Sequence, residues 1–151
     1  MKNRRGFTLV EIMIVVAIIA LLAAIAIPNL LRARLQANES AAQAALKTVA
    51  TAEVTFRSAN ATYASLTTLG SPATGPAYID AVLAAGTKNG YIFTTTDIAG
   101  ETFHCSAVPV GPGTTGVRSF CITADGVVRV DPTGAAIASL AACTALGSTA
   151  P

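Results

Sequence analysis

Every residue from Ile12 to Ile27 is apolar, and no other feature of this chain limits its possible folds so strongly. Phe7 to Leu31 carries one charge, Glu11. At about 1.5 Å per residue a helix of that length reaches roughly 37 Å, enough to cross a hydrocarbon layer of about 30 Å. Lys2, Arg4 and Arg5 precede the run and favour a cytoplasmic start, while Arg32 and Arg34 follow it. The remainder of the chain is then expected outside the cytoplasm. Charged residues are only 12% of the whole, and the net charge is +2. Disorder as the dominant state is excluded by that low charge and high apolar content. Nucleic-acid binding by the subunit surface alone is excluded as well, because neutralising phosphates requires clustered Lys and Arg.

Glu11 decides between three readings of the apolar segment. A secretory signal peptide with cleavage near Ala24-Ile25-Ala26 needs a shorter apolar region and no carboxylate within it. A plain membrane anchor fits the length but leaves Glu11 unpaired, at a cost of about 2.5–3.5 kcal/mol at membrane depth. Cutting the chain between Gly6 and Phe7 supplies the missing partner. The new α-amino group is a cation that Glu11 neutralises, in its own subunit or in a neighbour.

The run Arg4-Arg5-Gly6-Phe7-Thr8-Leu9-Val10-Glu11-Ile12-Met13-Ile14-Val15-Val16-Ala17-Ile18-Ile19 resembles the class III signal of type IV prepilins and the related type II secretion pseudopilins. The resemblance implies cleavage after Gly6 by a prepilin peptidase and N-methylation of Phe7. It implies that Thr8 and Glu11 serve assembly, with Glu11 recognising the N-terminal amine of an adjacent subunit. Pro28, followed by Asn29, matches a family position where the helix kinks or melts locally in the filament. The implied partners are further copies of this chain in a helical filament, the peptidase, a pilus assembly platform, and the inner membrane before assembly. The implied destination is an extracellular pilus on the cell surface, with motility, adhesion or DNA uptake as its use. A pseudopilin and a membrane-anchored binding domain that never polymerises are the alternatives.

Past the membrane-length run, Leu31, Leu35, Ala42, Leu46, Val49 and Phe56 recur at helical spacing. Arg32, Arg34, Gln36, Glu39, Gln43, Lys47 and Glu53 are expected mostly on other faces, and the helix is expected to end around Arg57–Asn60. A helix from Phe7 to Ser58 would measure about 78 Å. Residues 60–90 have weak periodicity and turn signals at Gly70-Ser71-Pro72, Gly75-Pro76 and Asn89-Gly90, with one short helix expected over Tyr78–Ala85. In the family this stretch is the variable αβ-loop. Asn60-Ala61-Thr62 fits a glycosylation sequon.

From Tyr91 the period changes to two. Strands are expected at Tyr91–Thr96, Thr102–Val110, Val117–Thr123 and Val127–Asp131. Gly111–Gly116 reads as a turn, and Asp125-Gly126 as a tight hairpin. The expected fold is α+β: a long N-terminal helix packed on an antiparallel sheet of about four strands, as in pilins. The organisation is leader 1–6, apolar helix 7–31, amphipathic continuation 32–59, loop 60–90, sheet 91–131 and C-terminal loop 132–151.

Cys105, Cys121 and Cys143 lie in the exported part, where disulfides are permitted. Cys121–Cys143 is favoured, because it would hold a tail that lacks strand pattern after Pro132 and contribute about 3 kcal/mol by loop entropy. It resembles the disulfide-closed C-terminal loop of pilins. Cys105–Cys121 across the hairpin is the rival. One His and three widely spaced Cys do not read as a metal set, and His104 reads as an ordinary strand residue. Asp125 and Asp131 match no calcium loop, and no acidic cluster follows Asp131, which weakens the pseudopilin reading. No nucleophile elbow, phosphate loop or paired-carboxylate spacing occurs, so neither catalysis nor a cofactor is expected.

Overall fold

The computed structural model describes residues 7–99 and 101–148, apart from the side chains of Asp97 and Ala99. Gly6 and the rest of the leader lie outside the described residues. The chain forms two units, 1–34 and 35–151.

Helix α1 runs Leu9–Asn60 and includes Pro28. Pro28 has no N–H to donate to the turn before it, yet the helical assignment continues through the position. Among the described residues the first unit contains Phe7, Thr8 and the N-terminal part of α1, and its large apolar side chains from Phe7 to Leu31 are all exposed.

In the second unit α1 buries one stripe: Glu39, Ala42, Leu46, Val49, Glu53 and Phe56, with Ala45, Ala50 and Ala52 beside it. The spacing alternates three and four, so the stripe includes two glutamates. This corrects the assignment of Glu39 and Glu53 to other faces. A single-residue polarity rule cannot see that a carboxylate is matched by donors far along the chain.

The stripe covers a five-stranded antiparallel meander in the order β1-β2-β3-β4-β5. The strands are β1 Thr87–Lys88, β2 Tyr91–Ala99, β3 Thr102–Pro109, β4 Ser119–Thr123 and β5 Arg129–Asp131. The short β1 is one strand more than the pattern suggests. It exists because Asn89 and Gly90 both take positive φ, +51° and +76°, as a two-residue type I′ hairpin requires. That hairpin pairs Lys88 with Tyr91. The hairpin at Asp125-Gly126 is wider than expected. Pairing between β4 and β5 ends at Cys121↔Arg129, and Gly126 N–H closes a turn on the Thr123 carbonyl.

Alternation sorts the sheet. Phe103, Cys105, Ala107, Phe120 and Ile122 face the helix and join its core. Cys121 faces the other way, against Ile137 and Cys143. All of β4 is buried, because the C-terminal segment covers its outer face. That segment contains helix α4, Leu140–Thr144, whose N-cap Ser139 accepts from Ala142 N–H. Helices α2, Leu66–Gly70, and α3, Ala81–Ala84, build the loop before the sheet, each with a side-chain N-cap, Ser65 and Asp80. Gly116 approaches Tyr91 so closely that a Cβ would meet its hydroxyl at 1.9 Å, and Tyr91 in turn donates to the Arg118 carbonyl at 2.8 Å.

Candidate functional site

The head of α1 is a capping box. Thr8 N–H and Thr8 Oγ1 both donate to Glu11 Oε2, at 2.9 and 2.7 Å, and Glu11 N–H donates to Thr8 Oγ1 at 3.2 Å. The sequence Thr-x-x-Glu produces this reciprocal closure, which satisfies backbone donors that a helix start leaves open. Among the described residues no other donor reaches the Glu11 carboxylate. Phe7 stands directly before this cap and is 80% exposed. The structure therefore brings Thr8 and Glu11 together at the helix start, with the Phe7 amide beside them in sequence. Gly6, the other half of the expected cleavage site, lies outside the described residues. Pro28 sits inside the apolar segment, about five turns further on.

Behind the cap stretches a helix that is long and apolar enough to span a membrane, with none of its most apolar window buried within the chain. A surface of exposed Ile, Leu and Val on this scale demands lipid or other apolar helices around it.

In the second unit, two glutamates on α1 fasten the helix to the rest. Glu39 Oε1 accepts from the N–H groups of Val117 and Arg118 at 2.9 and 3.1 Å. Glu39 Oε2 accepts from Arg118 Nε and Nη2 at 2.9 and 2.6 Å. Burial alone would raise this carboxyl, but the Arg118 and backbone donors outweigh it and hold the group below the ordinary glutamate range. Asn38 adds a bond to the Thr115 carbonyl at 2.8 Å. Glu53 is different. Its Oε2 accepts from Ala64 N–H at 2.9 Å, but Oε1 is buried without a partner. Burial pushes this carboxyl up to about 7, against the lowering effect of that one bond.

Cys121 and Cys143 form a disulfide, and Cys105 is a free, buried thiol. Burial pushes the Cys105 thiol up to about 12, which keeps it protonated and unreactive at neutral pH. His104, buried on β3, lies beside the disulfide: one ligand atom from each of His104, Cys121 and Cys143 falls within 4.8 Å of the others. The linear spacing hides this set, because β3, β4 and α4 bring it together only on folding. Asp125 pairs with Arg129 at 2.6 Å, and that guanidinium holds the Asp125 carboxyl down to about 2. Asp131 turns instead to Thr133, so the two acids do not converge. Asn60 of the sequon is exposed, and its Nδ2 donates to the Phe56 carbonyl at 3.0 Å. A shallow groove of about 380 Å³ between α1 and the β4–β5 turn is lined by Lys47, Thr51, Val54, Ile122 and neighbours. It contains no pairing of acid with base or nucleophile.

Residues 1–27 match the family described as prokaryotic N-terminal methylation motif. The type IV wide pilus major component PilA4 of Thermus thermophilus is 40% identical over 95 residues, which cover 60% of this chain and 72% of that protein. The type IV major pilin protein PilA of Myxococcus xanthus is 52% identical over 54 residues, 36% of this chain and 24% of that protein. A fimbrial protein of Pseudomonas aeruginosa is 55% identical over 53 residues, 33% of this chain and 34% of its own length.

Proposed function

The chain belongs to the type IV pilin family, and on that footing we propose that it is the structural subunit of a type IV pilus filament. It is made as an inner-membrane precursor. A prepilin peptidase cuts after Gly6 and the amine of Phe7 is methylated. An assembly platform then passes the subunit into an extracellular fibre.

The observation that carries this reading is the capped helix start standing on an entirely exposed apolar helix. Thr8 occupies one oxygen of Glu11. The other is available to the amine that cleavage creates, in the same subunit or the next. A carboxylate among hydrocarbon is tolerated only when a cation meets it, so the pairing sets the register in which subunits add. The apolar side chains exchange lipid for neighbouring copies, so their burial persists through the transfer. The contact is head-to-tail and does not close, which yields an open helical fibre. Pro28, by removing one helical hydrogen bond, provides the point where the packed helix bends. The relatives are named as a pilus major component and a major pilin, which supports the reading.

Mass spectrometry of the mature chain tests the processing step, with a methylated N-terminal Phe7 expected. A mature chain that still begins at Met1, or starts beyond Ala26, overturns the reading. In Gly6→Val the branched side chain blocks the peptidase, and uncleaved precursor accumulates on a blot. Electron microscopy of cells with and without the chain tests the fibre itself. A secretion defect without fibres would favour a pseudopilin instead.

A further inference from the structure

His104, Cys121 and Cys143 come from three separate elements and are fully buried together. In the oxidised chain the two sulfurs bond each other. The chain is nevertheless synthesised as a dithiol. In that form the same fold gathers two thiols and an imidazole, the donor set that suits a zinc-type cation. A second observation points the same way. Thr96 Oγ1 lies 2.9 Å from His104 Nδ1. Metal-binding histidines are held by such a bond at the other ring nitrogen, which fixes tautomer and ring orientation.

We propose that the reduced chain binds one zinc-type divalent cation through His104 Nε2 and the sulfurs of Cys121 and Cys143. Charge decides the class of ion. Two thiolates neutralise a divalent cation, and the imidazole is neutral, so the complex has no net charge in a site with no exposed residue. A monovalent ion would leave a buried negative charge. Three protein donors leave the fourth position to water. Binding displaces one proton from each thiol. Disulfide formation then requires a disulfide oxidant such as oxidised glutathione, which takes two electrons from the sulfurs and leaves as two thiols, and the cation departs. Metal and disulfide therefore exclude each other, and the ion guards the pair until the chain is oxidised. Cys105 faces the helix on the opposite side of the sheet and takes no part. None of this depends on filament assembly.

The test uses the full chain in detergent, with cobalt(II) standing in for zinc. A phosphine reduces the disulfide. It gives up two electrons and becomes its oxide with the oxygen of water, whose protons end on the sulfurs. The reduced chain is expected to take up one cobalt with a thiolate-to-metal absorption band that zinc then bleaches. The oxidised chain shows none, and Cys105→Ser binds like the parent. His104→Gln weakens binding by tenfold or more, and Thr96→Val by about tenfold. Zinc slows reoxidation by oxidised glutathione in the parent but not in His104→Gln. Equal binding by parent and His104→Gln overturns the proposal, as does loss of binding in Cys105→Ser. Circular dichroism covers the case where reduction unfolds the chain: zinc must then restore the native spectrum, and failure to do so also overturns it.

Discussion

The two stretches of α1 treat their glutamates in opposite ways. In residues 9–34 the large apolar side chains are exposed, and among the described residues the Glu11 carboxylate is met only by Thr8, three residues away. In residues 35–60 the helix is half buried, and Glu39 is met by Val117 and Arg118, 78 and 79 positions along the chain. In the folded body Glu39 is satisfied by its own tertiary structure. On the bare stretch both side-chain bonds to Glu11 end on Oε2, and its other oxygen is the one that the proposed pairing with an N-terminal amine would use. One helix is thus a core element at one end and, on the proposed reading, an assembly surface at the other.

Glu11→Ala separates the two ends most sharply. Processing and folding of the 35–151 unit should persist, while filaments disappear from electron micrographs. Normal fibres from this variant would remove Glu11 from assembly.

Glu53 gives the next largest effect, and its sign follows from proton linkage. Its folded value is raised to about 7, above the usual ~4.3 of an unfolded glutamate. Between those values the unfolded chain binds fewer protons, so stability falls as pH rises and levels off above 7. The loss should be on the order of 3 kcal/mol between pH 5 and pH 9, and Glu53→Gln should flatten it. Melting curves of parent and variant at both pH values check this. Parallel pH profiles would show that Glu53 does not titrate in this range.

Arg118→Ala should cost about 2 kcal/mol by denaturant titration, because it leaves a buried carboxylate with backbone donors alone. Fibre register should be unaffected as long as the variant stays folded. The smallest change is Thr8→Ala. It removes one cap, worth about 1 kcal/mol locally. Faster amide exchange at Leu9 to Glu11 is the readout, with no shift in the melting of the second unit.

Much of this architecture is legible in the sequence. The apolar run and the switch from helical to alternating period at Tyr91 are local patterns, and local patterns survive in a linear string. The strand β1 was not legible, because two residues carry no period; only the left-handed pair Asn89-Gly90 hinted at a hairpin. Helix α4 was missed for a similar reason. It is one capped turn, held by packing on β4 more than by propensity. Thr8 and Glu11 are readable at the candidate site because the prepilin-like run that contains them is contiguous in the sequence. The roles of Glu39 and Glu53 were not, since their partners lie elsewhere in the chain.

The linear pattern is enough to specify a membrane-length helix headed by a single acid, followed by an antiparallel sheet. These depend on hydrophobic spacing and near-neighbour hydrogen bonds, which are properties of short segments. That two glutamates belong to the core, that Cys143 rather than Cys105 bonds Cys121, and that His104 sits against that bond follow from folding alone. Each of those depends on groups far apart in sequence meeting in space. Their energies come from burial and pairing, which no local pattern encodes.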